Sequence, residues 1–95
     1  MCPVPSYRTI LGIGALHPGH APQEVEANAR RAHLLEAFDV GIVRGAAQVT
    51  CRFAAIDDEE AIRVHREIVA AVRLAAQVPR AGLAKVVRGR NAPIL

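Results

Sequence analysis

The chain has few aromatic residues. Its 95 residues include one tyrosine, two phenylalanines and no tryptophan. The hydrophobic core must therefore consist of valine, isoleucine, leucine and alanine, and small side chains bury little area at about 25 cal/mol per Å². A domain of this length with such a core is only marginally stable by itself, so we expect two copies to associate.

Cysteines and targeting signals are also scarce. Cys2 and Cys51 form no Cys-x-x-Cys motif, and a disulfide framework needs more cysteines. The N-terminus, MCPVPSYR, lacks the basic and then apolar regions of a signal peptide. No apolar run approaches the roughly 20 residues that cross a bilayer. We therefore expect a cytoplasmic protein that does not enter a membrane.

Charge is distributed unevenly along the chain. The formal net charge is +3, from 12 basic and 9 acidic residues. No acidic residue follows Glu67, whereas five basic residues do: Arg73, Arg80, Lys85, Arg88 and Arg90. Such an asymmetry either attracts an anionic partner or only keeps the protein in solution.

The segment Ala47–Val78 contains the clearest structural signal. Val49, Cys51 and Phe53 alternate with polar residues, which is the period of a strand with one buried face. An acidic run follows, and Asp57 with Glu60 resembles a capping box at a helix N-terminus. The next residues have helical periodicity as far as Pro79. The segment therefore predicts a strand followed directly by a long helix.

The same reasoning predicts four strands and two helices in a single domain covering residues 1–95. The strands are Tyr7–Leu16, Phe38–Val43, Ala47–Ile56 and Leu83–Arg88; the helices run from Pro22 to Ala37 and from Asp57 or Asp58 to Val78. Residues 1–6 and 89–95 are predicted to be flexible tails. The order β-α-β-β-α-β indicates an α+β fold and resembles the ferredoxin-like plait. This resemblance implies a four-stranded antiparallel sheet in the order 4-1-3-2, with both helices on one face.

The uncovered face of that sheet is the first candidate site. It is predicted to carry Arg8, Ile10, Gly12, Gly14, Gln48, Thr50 and Arg52, together with Lys85 and Val87. Two copies could stack through this face as a homodimer. RNA-recognition-motif proteins use the same architecture to bind RNA, but they stack bases on aromatic side chains. Because Phe53 points inward and no other aromatic residue is expected on the face, we do not expect nucleic acid binding.

Two histidines form a second candidate site. His17 and His20 lie in the loop between the first strand and the first helix. Heavy-metal-associated domains have a similar architecture and place Cys-x-x-Cys in this loop, and imidazoles suit Zn, Ni or Cu(II). Two ligands are fewer than the four of a structural zinc site, and Cys2 could be a third only if the N-terminal tail folds back. The alternative interpretation is an exposed loop in which the histidines have no common function.

The remaining two histidines lie on the helices. His65 falls on the apolar face of the second helix, where an imidazole needs a hydrogen-bond partner. It is either a structural core residue or a general base at the edge of a pocket, to which His33 could contribute. No cofactor is expected apart from a possible transition metal at His17 and His20.

Taken together, these features favour a small self-associating interaction module rather than an enzyme. Two alternatives stay open. One is a metal-binding protein that uses His17 and His20, and the other is a small dimeric enzyme with a pocket at His65.

Overall fold

A computed structural model describes residues 4–95 and has an α+β fold with two helices and one antiparallel sheet of five strands. The elements in chain order are β1 (Ser6–Ile13), α1 (Gln23–Ala32), β2 (Ala37–Val43), β3 (Ala46–Ala54), α2 (Asp58–Arg73), β4 (Arg80–Val87) and β5 (Arg90–Pro93). Their order in the sheet is β2-β3-β1-β4-β5.

Alternation of side chains creates one buried face of the sheet. In β1 the residues Tyr7, Thr9 and Leu11 are buried, and their neighbours in the sequence are only partly buried. In β3 the buried residues are Val49, Cys51 and Phe53, which also alternate with partly buried ones. The register places Cys51 opposite Thr9. Since successive side chains of a strand point to opposite faces, the core lies on one side of the sheet.

Helix α2 covers this core. Its buried side chains are Ala61, Val64, His65, Ile68, Val69 and Val72. The capping box is confirmed in a modified form: the side chain of Asp57 accepts a hydrogen bond from the backbone N–H of Glu60 (2.8 Å). The Glu60 carboxylate in turn accepts one from the N–H of Ile56, so both side chains satisfy free backbone donors at the helix start. Neither helix in residues 4–95 is long and apolar enough to cross a membrane.

Both helices are shorter than the sequence predicts. Helix α1 ends at Ala32, because His33 is already extended with φ −160°. Helix α2 ends at Arg73. Residues 74–78 instead turn back towards the end of β1, where Leu16 and Ala76 form an isolated bridge. The apolar residues that follow each helix therefore belong to loops and not to a further helical turn.

The prediction of four strands is wrong, because the chain forms a fifth strand within residues 89–95. Arg88 and Gly89 have φ values of 51° and 79°, and Val87 pairs with Arg90 across them. Positive φ at both central residues is the geometry of a type I′ hairpin turn. The same arrangement joins β2 to β3, where Arg44 and Gly45 have φ values of 53° and 79°. The Arg-Gly dipeptide is therefore the turn signal at both places.

The predicted orientation of β4 is also wrong. Lys85 and Val87 were expected on the uncovered face, but Lys85 pairs with the buried Tyr7 and so lies on the helix side. Leu83 is 1% exposed and fixes this orientation, since burying its side chain turns Lys85 and Val87 to the same side.

Replacing Arg44 or Arg88 by asparagine should stabilise the protein. An ordinary side chain at positive φ costs about 1 kcal/mol, and asparagine tolerates this conformation better than arginine. We expect each variant to raise the free energy of unfolding by about 0.5 kcal/mol in urea titrations. As a control, Gly45→Ala should lower it by about 1 kcal/mol, because Gly45 also has positive φ. Destabilisation by both asparagine substitutions would contradict this account of the turns.

Candidate functional site

The side of the sheet opposite the helices is called the open face here. Arg8, Ile10 and Gly12 of β1 pair with Arg52, Thr50 and Gln48 of β3, respectively. Residues paired across an antiparallel ladder lie on the same face, so these six share the open face. Pairing extends the face to Ala37, Asp39 and Gly41 of β2, to Arg80, Gly82 and Ala84 of β4, and to Pro93 of β5.

Gly14 lies outside this ladder. Strand β1 ends at Ile13, and the backbone N–H of Gly14 donates to the carbonyl oxygen of Gln77 (2.8 Å). A Cβ at Gly14 would lie 3.2 Å from Cβ of Gln77. The glycine therefore allows residues 74–78 to approach the end of β1, which is a structural role.

The centre of the open face is a depression of about 270 Å³. Its lining is formed by Arg8, Ile10, Ala37, Asp39, Gln48, Thr50, Arg52 and Asn91. Two arginines directly opposite each other in a ladder repel. Here Arg8 Nη1 donates to Asn91 Oδ1 (2.7 Å), and Arg52 Nε lies 3.4 Å from Glu36 Oε1. The two guanidinium groups thus extend to opposite sides and leave Ile10 and Thr50 accessible between them.

All three aromatic residues lie on the helix side of the sheet. Tyr7 and Phe53 are fully buried, with ring centroids 5.9 Å apart. Phe38 pairs with Cys51 and so shares its side. The open face therefore has no aromatic ring on which a nucleotide base could stack. The expectation that the protein does not bind nucleic acid stays a prediction.

The loop histidines are each engaged with a nearby group. His17 Nε2 donates to the backbone carbonyl of Arg73 (2.9 Å) at the end of α2. His20 Nδ1 lies 3.1 Å from Glu24 Oε2 in the first turn of α1. Within residues 4–95, no three His, Cys, Asp or Glu side chains are placed to hold a metal ion. Cys2, considered as a third ligand, lies outside the described residues. The hydrogen bond from His17 satisfies a backbone carbonyl group at the end of α2, which is a structural role.

His65 forms a buried hydrogen bond that joins α2 to β1. Its Nδ1 lies 3.0 Å from Oγ1 of Thr9, and Thr9 is fully buried. Burial, with a smaller contribution from Arg66, lowers the pKa of His65, so the ring is neutral in the folded protein near pH 7. The edge of the ring borders a depression of about 330 Å³ beside α2. Because a substrate cannot reach Thr9, the pair forms a structural link rather than a nucleophile and its base.

His33 does not join His65. Its ring packs edge-on against Phe53, with centroids 5.8 Å apart. The hydrogen bond of His65 within the described residues goes to Thr9. His33, directly after α1, and His65 in α2 therefore have separate partners.

A cluster that sequence reasoning missed lies where α2 begins. The hydroxyl group of Tyr7 donates to Asp58 Oδ1 (2.7 Å), and Lys85 Nζ lies 3.8 Å from the same oxygen. Burial and the neighbouring Asp58 raise the pKa of Tyr7, so its hydroxyl group stays protonated. The cluster connects β1, β4 and α2. Nothing in the linear sequence indicates it, because three distant segments supply one side chain each.

The buried cysteine is chemically inert. Cys51 is fully buried, and burial raises the pKa of its thiol to about 12. Nucleophilic attack requires the thiolate, so this residue contributes to packing.

Comparisons with known proteins give no relative from which a function could be transferred. No family model, no curated protein and no solved structure matches the chain significantly. The open face is the candidate site because of its own geometry, as the side of the sheet that neither helix covers.

Removing the hydroxyl group of Thr9 should destabilise the protein. Thr9→Val preserves the shape of the side chain but leaves the buried Nδ1 of His65 without a partner, at a cost of about 1–3 kcal/mol. Thr50→Val is the matched control on the open face and should change stability by less than about 0.5 kcal/mol. Chemical denaturation of both variants and of the wild type gives the free energies of unfolding that are compared. Equal effects would show that the Thr9–His65 bond contributes nothing.

The buried His65 should also make stability dependent on pH. Its pKa is lowered in the folded state, whereas an unfolded histidine titrates near 6.5. Below about pH 6.5 the unfolded state therefore binds a proton that the folded state does not, and stability falls. We expect the stability advantage of the wild type over His65→Gln to be constant above about pH 7.5 and to shrink from pH 6.5 to pH 5. An advantage that is unchanged at pH 5 would contradict this assignment.

Proposed function

We propose that this protein is a self-associating interaction module with a ferredoxin-like plait, in which the open face of one copy binds the open face of another. The order of β2, β3, β1 and β4 in the sheet supports the assignment of the fold, with β5 as an addition at one edge. The observation that carries the proposal is that buried side chains of both helices, among them Val25 of α1 and Ile68 of α2, share one core with Tyr7 and Phe53 on the same side of the sheet. The opposite side is left with a partly buried isoleucine, Ile10, between small residues.

The size of the open face fits this role. Five strands about 4.8 Å apart, with an average of about seven residues at 3.3 Å, span roughly 24 by 23 Å. In projection this is about 550 Å² on each copy and about 1,100 Å² in total. A specific interface needs about 1,000 Å² or more, so the face is large enough to form a dimer of modest affinity.

A two-fold arrangement keeps the arginines of the open face from lying directly over one another. We place a two-fold axis along the row that contains Asp39, Thr50, Ile10 and Gly82. Strands of the two sheets then run in opposite directions, and Arg8 of one copy lies over Gly12 of the other. Arg52 lies over Gln48 in the same way. Gly12 has no side chain to obstruct Arg8, and no arginine lies directly over an arginine. Asp39 does lie over Asp39 of the other copy, but on the edge strand β2, where solvent screens the repulsion between the two carboxylates, so that stacking is possible.

The two other functions considered from the sequence lack comparable support. His17 and His20 each direct one ring nitrogen to a protein group, and the buried Thr9 beside His65 is closed to a substrate. The open face therefore supports binding better than metal transport or catalysis.

Sedimentation equilibrium of the full chain tests the proposal. At tens of micromolar the wild type should have at least twice the 10.2 kDa mass of one chain. Ile10→Lys places a charge near the proposed two-fold axis and should weaken association at least tenfold. Leu74→Lys, at the end of α2 on the helix side, is the matched control and should associate normally. A monomeric wild type, or a dimer that Ile10→Lys does not affect, would overturn the proposal.

A further inference from the structure

The two edges of the sheet differ in how they are protected. Strand β5 has only four residues, begins with Arg90 and ends with Pro93. Strand β2 has seven residues, AFDVGIV, without proline, lysine or arginine, and pairs with β3 without a bulge. Proteins usually protect an edge strand by shortness, proline, charged side chains or a bulge, because its unpaired backbone groups can bind another strand. The edge at β5 has three of these features, whereas the edge at β2 has one, the carboxylate of Asp39.

Strand β2 also exposes large apolar side chains. Val40 and Ile42 are 66% and 71% exposed. They pair with Val49 and Ala47, so they point to the helix side of the sheet. Helix α1 packs on α2 and leaves these two side chains uncovered. The edge thus combines free backbone groups with exposed β-branched residues, which favour strand pairing.

We propose that β2 pairs with β2 of a second copy, antiparallel and across a two-fold axis at Val40, so that the two sheets join into one sheet of ten strands. This register aligns all seven residues. Val40 faces Val40, Phe38 faces Ile42, Ala37 faces Val43 and Asp39 faces Gly41 of the other copy. Pairs of an aromatic with a β-branched residue are among the favourable cross-strand pairs.

Two neighbouring registers are less favourable. An axis at Asp39 places two carboxylates directly opposite each other, which is destabilising. An axis at Gly41 shortens the pairing to the five residues 39–43. The axis at Val40 preserves the full length and places Asp39, the charged residue of the strand, opposite a glycine. This self-complementarity is the reason for choosing a second copy of the chain as the partner, and backbone hydrogen bonds supply the affinity.

This interface is separate from the open face and does not depend on the proposed function. One involves the edge of the sheet and the other involves its surface, so both can form in the same assembly. The experiments below therefore separate the two.

Disulfide cross-linking tests the register directly. In a Cys2→Ser background, Val40→Cys adds one thiol to the buried Cys51. Opposite residues of an antiparallel pair have Cα atoms about 4.5–5.5 Å apart, which is within the range of a disulfide. Leu34→Cys is the control, because Leu34 is 86% exposed and lies just before β2. Cross-linking of Val40→Cys at least tenfold faster than the control is expected, and equal rates would overturn the inference.

Charge repulsion provides the second test. Val40→Lys places two ammonium groups together on the proposed axis and should weaken edge association at least tenfold, whereas Val40→Thr preserves the β-branch and should change it little. Each substitution is introduced into the Ile10→Lys variant, which removes association through the open face, and circular dichroism verifies that the variants fold. If the Ile10→Lys variant still associates and the further substitution Val40→Lys abolishes that association, the result supports pairing of β2 with β2.

The outcomes distinguish the two interfaces. If association responds to Ile10→Lys alone and Val40→Cys cross-links no faster than the control, edge pairing is wrong and the proposed function stands. If association responds to Val40→Lys alone, edge pairing stands and the proposed function fails. If the wild type is monomeric and does not cross-link, both are wrong.

Discussion

The structure depends on the burial of alternate side chains on one side of β1 and β3. Tyr7 and Leu11 on one strand and Val49 and Phe53 on the other are all buried on that side. Since a strand presents its two sets of side chains to opposite faces, this choice also decides which residues remain uncovered. The position of α2 and the composition of the open face follow from it.

Polar groups inside the core are satisfied by contacts between distant segments. Thr9 and His65 bond to each other across the interface of β1 and α2, and Tyr7 bonds to Asp58 at the start of the same helix. Within residues 4–95, no buried side-chain nitrogen or oxygen atom lacks a partner. In a core with few large side chains, such bonds fix how the helix lies on the sheet, because an unpaired buried group would be costly. This is why His65, which attracts attention in the sequence, has a structural explanation.

The uncovered surfaces are of two physical kinds. The open face offers side chains, among them Ile10 and Thr50, and its use requires a complementary surface. The edge at β2 offers backbone donors and acceptors, and its use requires only another strand of fitting register. The short strand β5 protects the opposite edge with Pro93. The sheet can therefore grow in one direction and stack in another, which is the physical basis of the association proposed for this protein.

The sequence by itself determined the elements whose signals are local. The alternation in Val49, Cys51 and Phe53 and the cap at Asp57 identify β3 and the start of α2, since each depends only on neighbouring residues. The order of the first four strands also followed, because crossover connections have a fixed hand. Only the tertiary structure decided the direction in which Lys85 points and the partners of His17 and His65. Each of these depends on contacts between residues far apart in the chain, and a single sequence carries no measure of which distant segments meet.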